Sequence, residues 1–340
     1  MDYINYVKQS PMSMGGMGGV VGSYNFRAAA GGGDSSFTNG GSRGIFASGM
    51  QSSAPGEAIA IDYKNISTTG TFSDFGDLQW ERRAGGNCSN GTRACMGGGY
   101  DSGNADGSVY QDVIGYITTA STGPAADFGN LTLKRYALSA LSNGTRGVWA
   151  NGQDNNSNPS VYKDIIDYIT IASTGNATDF GDTSYAGRAI WCAANDTRGL
   201  IGGGNIQTNR IEYITVATTG NASDFGDMLD SLYGYNAAST GVSASRAVYT
   251  GGRNPGMSDV MGYVTINTTG NATDFGDMRV ARDGHGCCTN DTRMLSGGGE
   301  YGTYTTDVEY ITVANTGNGT DFGDLNVGRW YTAATSGSAS

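Results

Sequence analysis

Apolar and polar positions alternate with a period of two in a run that returns six times along the chain. In DYITIASTGNATDFGD, from Asp167 to Asp182, the Tyr-Ile-Thr-Ile segment alternates apolar residues with Thr, the pattern of a half-buried β-strand. A Thr-Gly-Asn turn follows, and Asp-Phe-Gly-Asp then reads as a short second strand or its edge. Close copies begin at Glu212, Gly262 and Glu309, and looser ones at Gly115 and Asp62. The Asp-Phe-Gly marks at Asp74, Asp127, Asp179, Asp224, Asp274 and Asp321 are 45 to 53 residues apart. A repeat of that length fixes the architecture before any single residue does.

Ahead of each alternating run lies a different pattern: Ser/Thr-Arg, a continuous apolar run, then glycines. It reads SRGIFASG at Ser42, TRACMGGG at Thr92, TRGVWANG at Thr145, TRGLIGGG at Thr197, SRAVYTGG at Ser245 and TRMLSGGG at Thr292. We name this strand b, the alternating strand c, and the Asp-Phe-Gly strand d. A further strand, a, is opened by Arg83, Arg135, Arg188, Arg282 and Arg329, with Tyr235 near the equivalent place in the fifth unit. Tight turns at Asn90-Gly91, Asn143-Gly144, Asn195-Asp196 and Asn290-Asp291 join strand a to the next strand b. No stretch has a helical period.

Four short strands in each unit of about 50 residues predict an all-β chain folded as a β-propeller. The first strand b, at Ser42, has no strand a before it, and one strand a is left over at the C-terminal end, RWYTAATSGSAS from Arg329. The expectation is therefore a six-bladed ring over residues 42–340, closed by the C-terminal strand joining the N-terminal blade. Closure removes an open sheet edge. A seventh blade would need strands from residues 1–41. Alternating strand direction puts the a–b and c–d turns on one face and the b–c and d–a loops on the other. The first face is monotonous. The b–c loops differ from unit to unit, which is where recognition on a rigid ring usually resides. Tyr100, Tyr110, Tyr162, Tyr301 and Tyr304 in those loops are the candidate ligand-binding residues, suited to sugar or protein surfaces.

Residues 1–41 lie outside the repeat. The β-prone run Tyr3, Ile4, Asn5, Tyr6, Val7 precedes a Met/Gly stretch and Gly31-Gly32-Gly33. One reading is an apolar anchor (Tyr3, Ile4, Tyr6, Val7) on a flexible tether that docks on a partner; the other is a tail, or a strand packed on the ring. No basic n-region with a long apolar run opens the chain, and no window holds 18 apolar residues, so neither a secretory signal nor a membrane span is expected.

The net charge of −11 and the scattered Lys and Arg argue against nucleic-acid binding. A lone histidine, His285, cannot build a copper site, a Ser-His-Asp triad or most zinc sites. No EF-hand spacing appears, so neither a metal nor a cofactor is expected. Five cysteines (Cys88, Cys95, Cys192, Cys287, Cys288) occupy strand positions taken elsewhere by Ala, Leu or Ser and read as small buried residues, although Cys88 and Cys95 could face each other across a hairpin. Features repeated in every unit read as scaffold, because a catalytic site breaks symmetry. Both arginine series, Arg93, Arg146, Arg198 and Arg293 with Arg43 and Arg246, and the set that opens strand a, are expected to pair with Asp. Phe180, Phe225, Phe275 and Phe322 are expected to pack between blades, with the flanking Asp accepting from turn amides or an Arg.

The order Arg…Gly-Gly…Tyr…Asp-Phe-Gly-Asp-Leu…Arg resembles kelch-type, galactose-oxidase-like propellers, with Phe where kelch units usually carry Trp. The TGNATDFGDL and TRG…GGG units and the YINYVKQ-Pro-Met opening look more closely like repeat proteins of marine tailed phages, cyanophages especially. That resemblance covers the whole chain and implies a non-enzymatic virion or tail-fibre role in several copies per particle. Residues 1–41 would contact other virion proteins, and the loop face would contact a host-surface glycan or protein. The rival expectations are an enzyme acting on surface polysaccharide and an intracellular protein-interaction scaffold.

Overall fold

The computed structural model describes residues 41–51, 57–102, 109–154, 161–205, 208–232, 245–253, 255–290 and 292–338. The anchor candidates Tyr3, Ile4, Tyr6 and Val7, and Tyr235, lie outside these. The described residues form antiparallel strands and no helix.

Six small sheets make a six-bladed β-propeller. Blade 2 shows the plan: strand a is Gly86–Ser89, b Arg93–Gly97, c Val113–Thr118 and d Ala126–Asn130, hydrogen-bonded in that order. Strands b, c and d of blade 1 are Arg43–Ala47, Ala60–Asn65 and Ser73–Asp77, and its strand a is Ala333–Gly337 from the other end of the sequence. Arg43 pairs with Gly337 and Ala47 with Ala333, so the C-terminal strand completes the N-terminal blade. Blades 3, 4 and 6 start from Ser139–Ser142, Trp191–Ala194 and Gly286–Thr289. In blade 5 strands b, c and d (Arg246–Arg253, Met257–Thr265, Thr273–Asp277) are described. Blade 3 departs from the short strands expected: its strands c and d, Val161–Thr170 and Thr178–Gly187, each run ten residues.

Burial explains the two hydrophobic patterns. Strand b is covered on both faces: Ile45 and Ala47 face blade 2, while Phe46 faces blade 6. A strand buried on both faces needs a continuous apolar run. Strand c alternates because its two faces differ. Ile61 and Tyr63 join the cluster against blade 2, and Asp62 on the opposite face receives an arginine. Each of the six hydrophobic clusters lies at one blade–blade interface, so the core is a ring of separate wedges.

The Asp-Phe-Gly motif has a backbone cause. In every blade the c–d register slips at the Phe: Asp179 pairs with Asp167 and Gly181 with Ile166, leaving Phe180 as the extra residue of a β-bulge. Phe128, Phe225, Phe275 and Phe322 take the same place. The bulged ring turns into the interface, and its carbonyl, freed from its own ladder, accepts the turn amide of the next blade: Phe180 O from Gly220 N at 2.8 Å, Phe225 O from Gly270 N at 2.8 Å. The following glycine sits at φ near +140°, and a Cβ on Gly181 would lie 2.6 Å from the Gly220 backbone. The Asn of the Thr-Gly-Asn turn adds another bond, with Asn221 Oδ1 accepting from Asp182 N at 3.1 Å. The motif is thus an interlock between neighbours. Its first Asp is exposed in all six copies, rather than held by turn amides throughout; Asp321 alone of the six takes an ion pair among the described residues, from Arg279 at 2.8 Å.

Candidate functional site

The face bearing the a–b and c–d turns is closed the same way six times. The strand-b arginine reaches a carbonyl on the next blade: Arg93 to Ile171 O (2.9 Å), Arg146 to Val216 O (3.0 Å), Arg198 to Ile266 O (2.9 Å) and Arg293 to Ser67 O (3.1 Å). Arg43 and Arg246 do likewise. Each guanidinium lies over a strand-c tyrosine of its own blade, as Arg198 over Tyr213 at 4.3 Å, and that ring meets the bulged phenylalanine edge-on. Among the described residues none of these arginines pairs with a carboxylate, which corrects the Arg–Asp expectation for this series. Planar stacking and carbonyl acceptance satisfy the cation without a second buried charge.

The other series, ahead of strand a, does form arginine–carboxylate pairs, as expected for it. Arg135, Arg282 and Arg329 are fully buried and meet the strand-c acids Asp167, Glu309 (2.7 Å) and Asp62 (2.8 Å). Arg82, not Arg83, is the counterpart in blade 2. It faces Gly115 instead of an acid and binds three carbonyls, and burial lowers its pKa to about 10. Gly187, not Arg188, is the counterpart in blade 4, where Glu212 accepts from the Ser184 amide and hydroxyl instead. These arginines precede strand a; they do not lie within it. Two residues later the chain takes a left-handed conformation at Ala84, Ala137, Gly284 and Tyr331, with Ala189 at the same place in blade 4 (φ 51–65°). The amide of Ala137 then bonds to Ala84 O, and that of Ala189 to Ala137 O, forming a collar around the axis.

The residue just before the collar points to the b–c loop of the preceding blade, and here each described interface is different. Between blades 1 and 2, Arg83 pairs with Glu57 at 2.8 Å. Between blades 2 and 3, Tyr136 packs on Tyr110 (4.7 Å between ring centres) and Tyr100 (6.0 Å). Between blades 3 and 4, Arg188 lies over Tyr136 and Tyr162 and donates to Tyr136 OH and Gln153 Oε1. Between blades 5 and 6 the polarity of the first pair is reversed, with Arg253 3.0 Å from Asp283. Between blades 6 and 1, Tyr304 stacks on Trp330 at 5.6 Å.

The structure brings Tyr100, Tyr110 and Tyr162 into one belt with Tyr136 and Arg188, crossing blades 2 to 4. Tyr304 lies apart, at the ring closure, and Tyr301 is exposed beside it. The sequence reading missed Tyr136, Arg188 and Trp330 as rim residues because it placed their segment inside strand a.

Two other features have chemical potential. Carboxylate oxygens of Glu57, Glu81 and Asp101 come within 4.8 Å of one another, a spacing that suits a hard cation. Glu57, however, already accepts from Arg83 and from the Ser102 amide (3.1 Å) and hydroxyl (2.6 Å), so a cation would have to displace them. The axial channel is walled by small side chains, among them Ala84, Ala137, Ala140, Ser142 and Thr335, with Asn87 Nδ2 making no hydrogen bond among the described residues. All five cysteines are buried free thiols; Cys88 and Cys95 stand opposite in register. Burial raises the Cys95 pKa to about 12, which holds that thiol protonated and unreactive.

No family model matches the sequence, and no curated protein matches it at a significant level.

Proposed function

We propose that this chain is a non-enzymatic recognition propeller of a tailed-phage virion, kelch-like in its unit order, which residues 1–41 attach to other virion proteins in several copies. The b–c loop face points away from the particle and binds host-surface glycan. The observation that carries the reading is the contrast between faces. Packing alone explains six identical closures on one side, and nothing in packing calls for five unlike closures on the other. A rigid ring with an aromatic and polar rim fits a ligand that is itself polar with flat apolar faces.

Mass spectrometry of gradient-purified particles, comparing full-length protein with a variant lacking residues 1–41, tests the attachment. Full-length protein in particles and truncated protein absent from them is the expected result. Absence of both forms would remove the virion role and favour an intracellular scaffold.

A further inference from the structure

Of the three charged side chains described in the slot just before the collar, two are neutralised across their interface and one is not. Arg83 has Glu57, and Asp283 has Arg253. Arg188 occupies the same slot as both. It has no carboxylate partner among the described residues, and its guanidinium contacts only neutral groups: Tyr136 OH, Gln153 Oε1 and the faces of Tyr136 and Tyr162. Both hydrogen bonds use Nη1. Nε has no partner, and Nη2 makes no bond among the described residues. The nearest acid in sequence to Gln153, Asp154, is buried and lies 3.4 Å from Lys163. The chain as a whole carries −11, so a half-buried cation with no acid against it among the described residues is out of keeping with its surroundings.

We propose that Arg188 is the anion-binding group of a saccharide subsite between blades 3 and 4, taking the carboxylate of a uronic-acid-type sugar. This rests on the recognition reading above and names its ligand class. Nη2, which makes no bond among the described residues, offers its N–H donors to a carboxylate, while Nε is buried. The half-buried Tyr162 ring gives the flat wall against which the C–H face of a pyranose packs. Gln153 and Tyr136 hold the guanidinium plane. The slot in blade 2 shows what the unliganded alternative would be: there the protein supplies the carboxylate itself, as Glu57. An acidic peptide would supply the charge but not the flat apolar face, so the saccharide is favoured.

The test is a titration of the full chain by calorimetry with methyl glucuronoside, methyl glucoside and an acidic peptide, repeated on Arg188→Gln and Gln153→Glu. Gln153→Glu places an internal carboxylate against Arg188, as Glu57 does for Arg83, and so should close the subsite while keeping or raising Tm. Expected is binding of the glucuronoside, weakened about tenfold or more when the carboxylate is absent from the ligand or when either substitution is made. Equal binding of both sugars with no effect of Arg188→Gln would overturn the anion role and leave glycan recognition standing. Peptide binding lost in Arg188→Gln, with no sugar bound, would overturn the saccharide class and the glycan reading together. No binding of any probe overturns the subsite, while the virion role is still decided by particle composition. A merely structural Arg188 predicts a stabilised Gln153→Glu with ligand binding unchanged.

Discussion

The two faces of the ring join each blade to the next by different rules. On the a–b side one solution, an arginine over a tyrosine reaching a neighbouring carbonyl, is used at all six interfaces. On the b–c side the same geometric slot holds an ion pair, its reverse, an aromatic cluster, an arginine among neutral groups, or a Tyr–Trp stack. The lesson is that the first face and the buried arginine layer carry the fold. The second is therefore free to vary from slot to slot.

The strongest way to break this comparison is at the buried layer. Arg135→Ala leaves Asp167 buried without its cation, and a loss of about 3–5 kcal/mol is expected in denaturant unfolding. A loss below about 1 kcal/mol would mean that the layer does not hold the blades. Next is the repeated clasp. Arg198→Ala removes one inter-blade hydrogen bond and one stacked cation, and should lower stability by about 1–2 kcal/mol without touching the loop face.

A third test is by pH. His285 is buried beside Arg282, and burial first, then that cation, pushes its pKa from 6.5 down to about 3. Between those values the unfolded chain takes up a proton that the folded chain refuses. The contribution of neutral His285 is therefore full above about pH 6.5 and is lost as pH falls towards 3. Relative to His285→Gln, the wild type should lose up to about 1.4 kcal/mol per pH unit across that window in unfolding experiments. Parallel curves would show that the imidazole charges in place. The smallest effect is expected at the rim: Tyr301→Ser, on an exposed side chain, should change stability by less than about 0.5 kcal/mol.

Blade number, ring closure and the polarity of the two faces were legible in the sequence, because each follows from counting strands in a repeat. What sequence reading misplaced was the register ahead of strand a. Arg82, Arg135 and Arg282 stand eleven residues before a strand-b arginine, whereas Arg83 and Arg188 stand ten before theirs. That one-residue difference separates a buried cation from a rim side chain, and spacing alone could have shown it. The role of Asp-Phe-Gly was less accessible. A β-bulge is a pairing irregularity, and its use, lending a carbonyl to the next blade, appears only when the neighbour is in place. The Arg188 slot was hidden for the same reason, since Gln153 and Tyr162 belong to another repeat.

The pairing of Arg43 with Gly337 sets an order of events during synthesis. Strand b of blade 1 is among the first parts of the ring to leave the ribosome, yet its inner partner is among the last. Until residue 337 has been made, that strand has one bare edge, and the wedge of Phe46, Phe72, Leu295 and Phe322 between blades 6 and 1 cannot form. Contacts so distant in sequence make ring closure the slow and exposed stage of folding. Synthesis halted before residue 333 would thus leave an open arc with a bare strand edge, primed to join a second arc instead of itself.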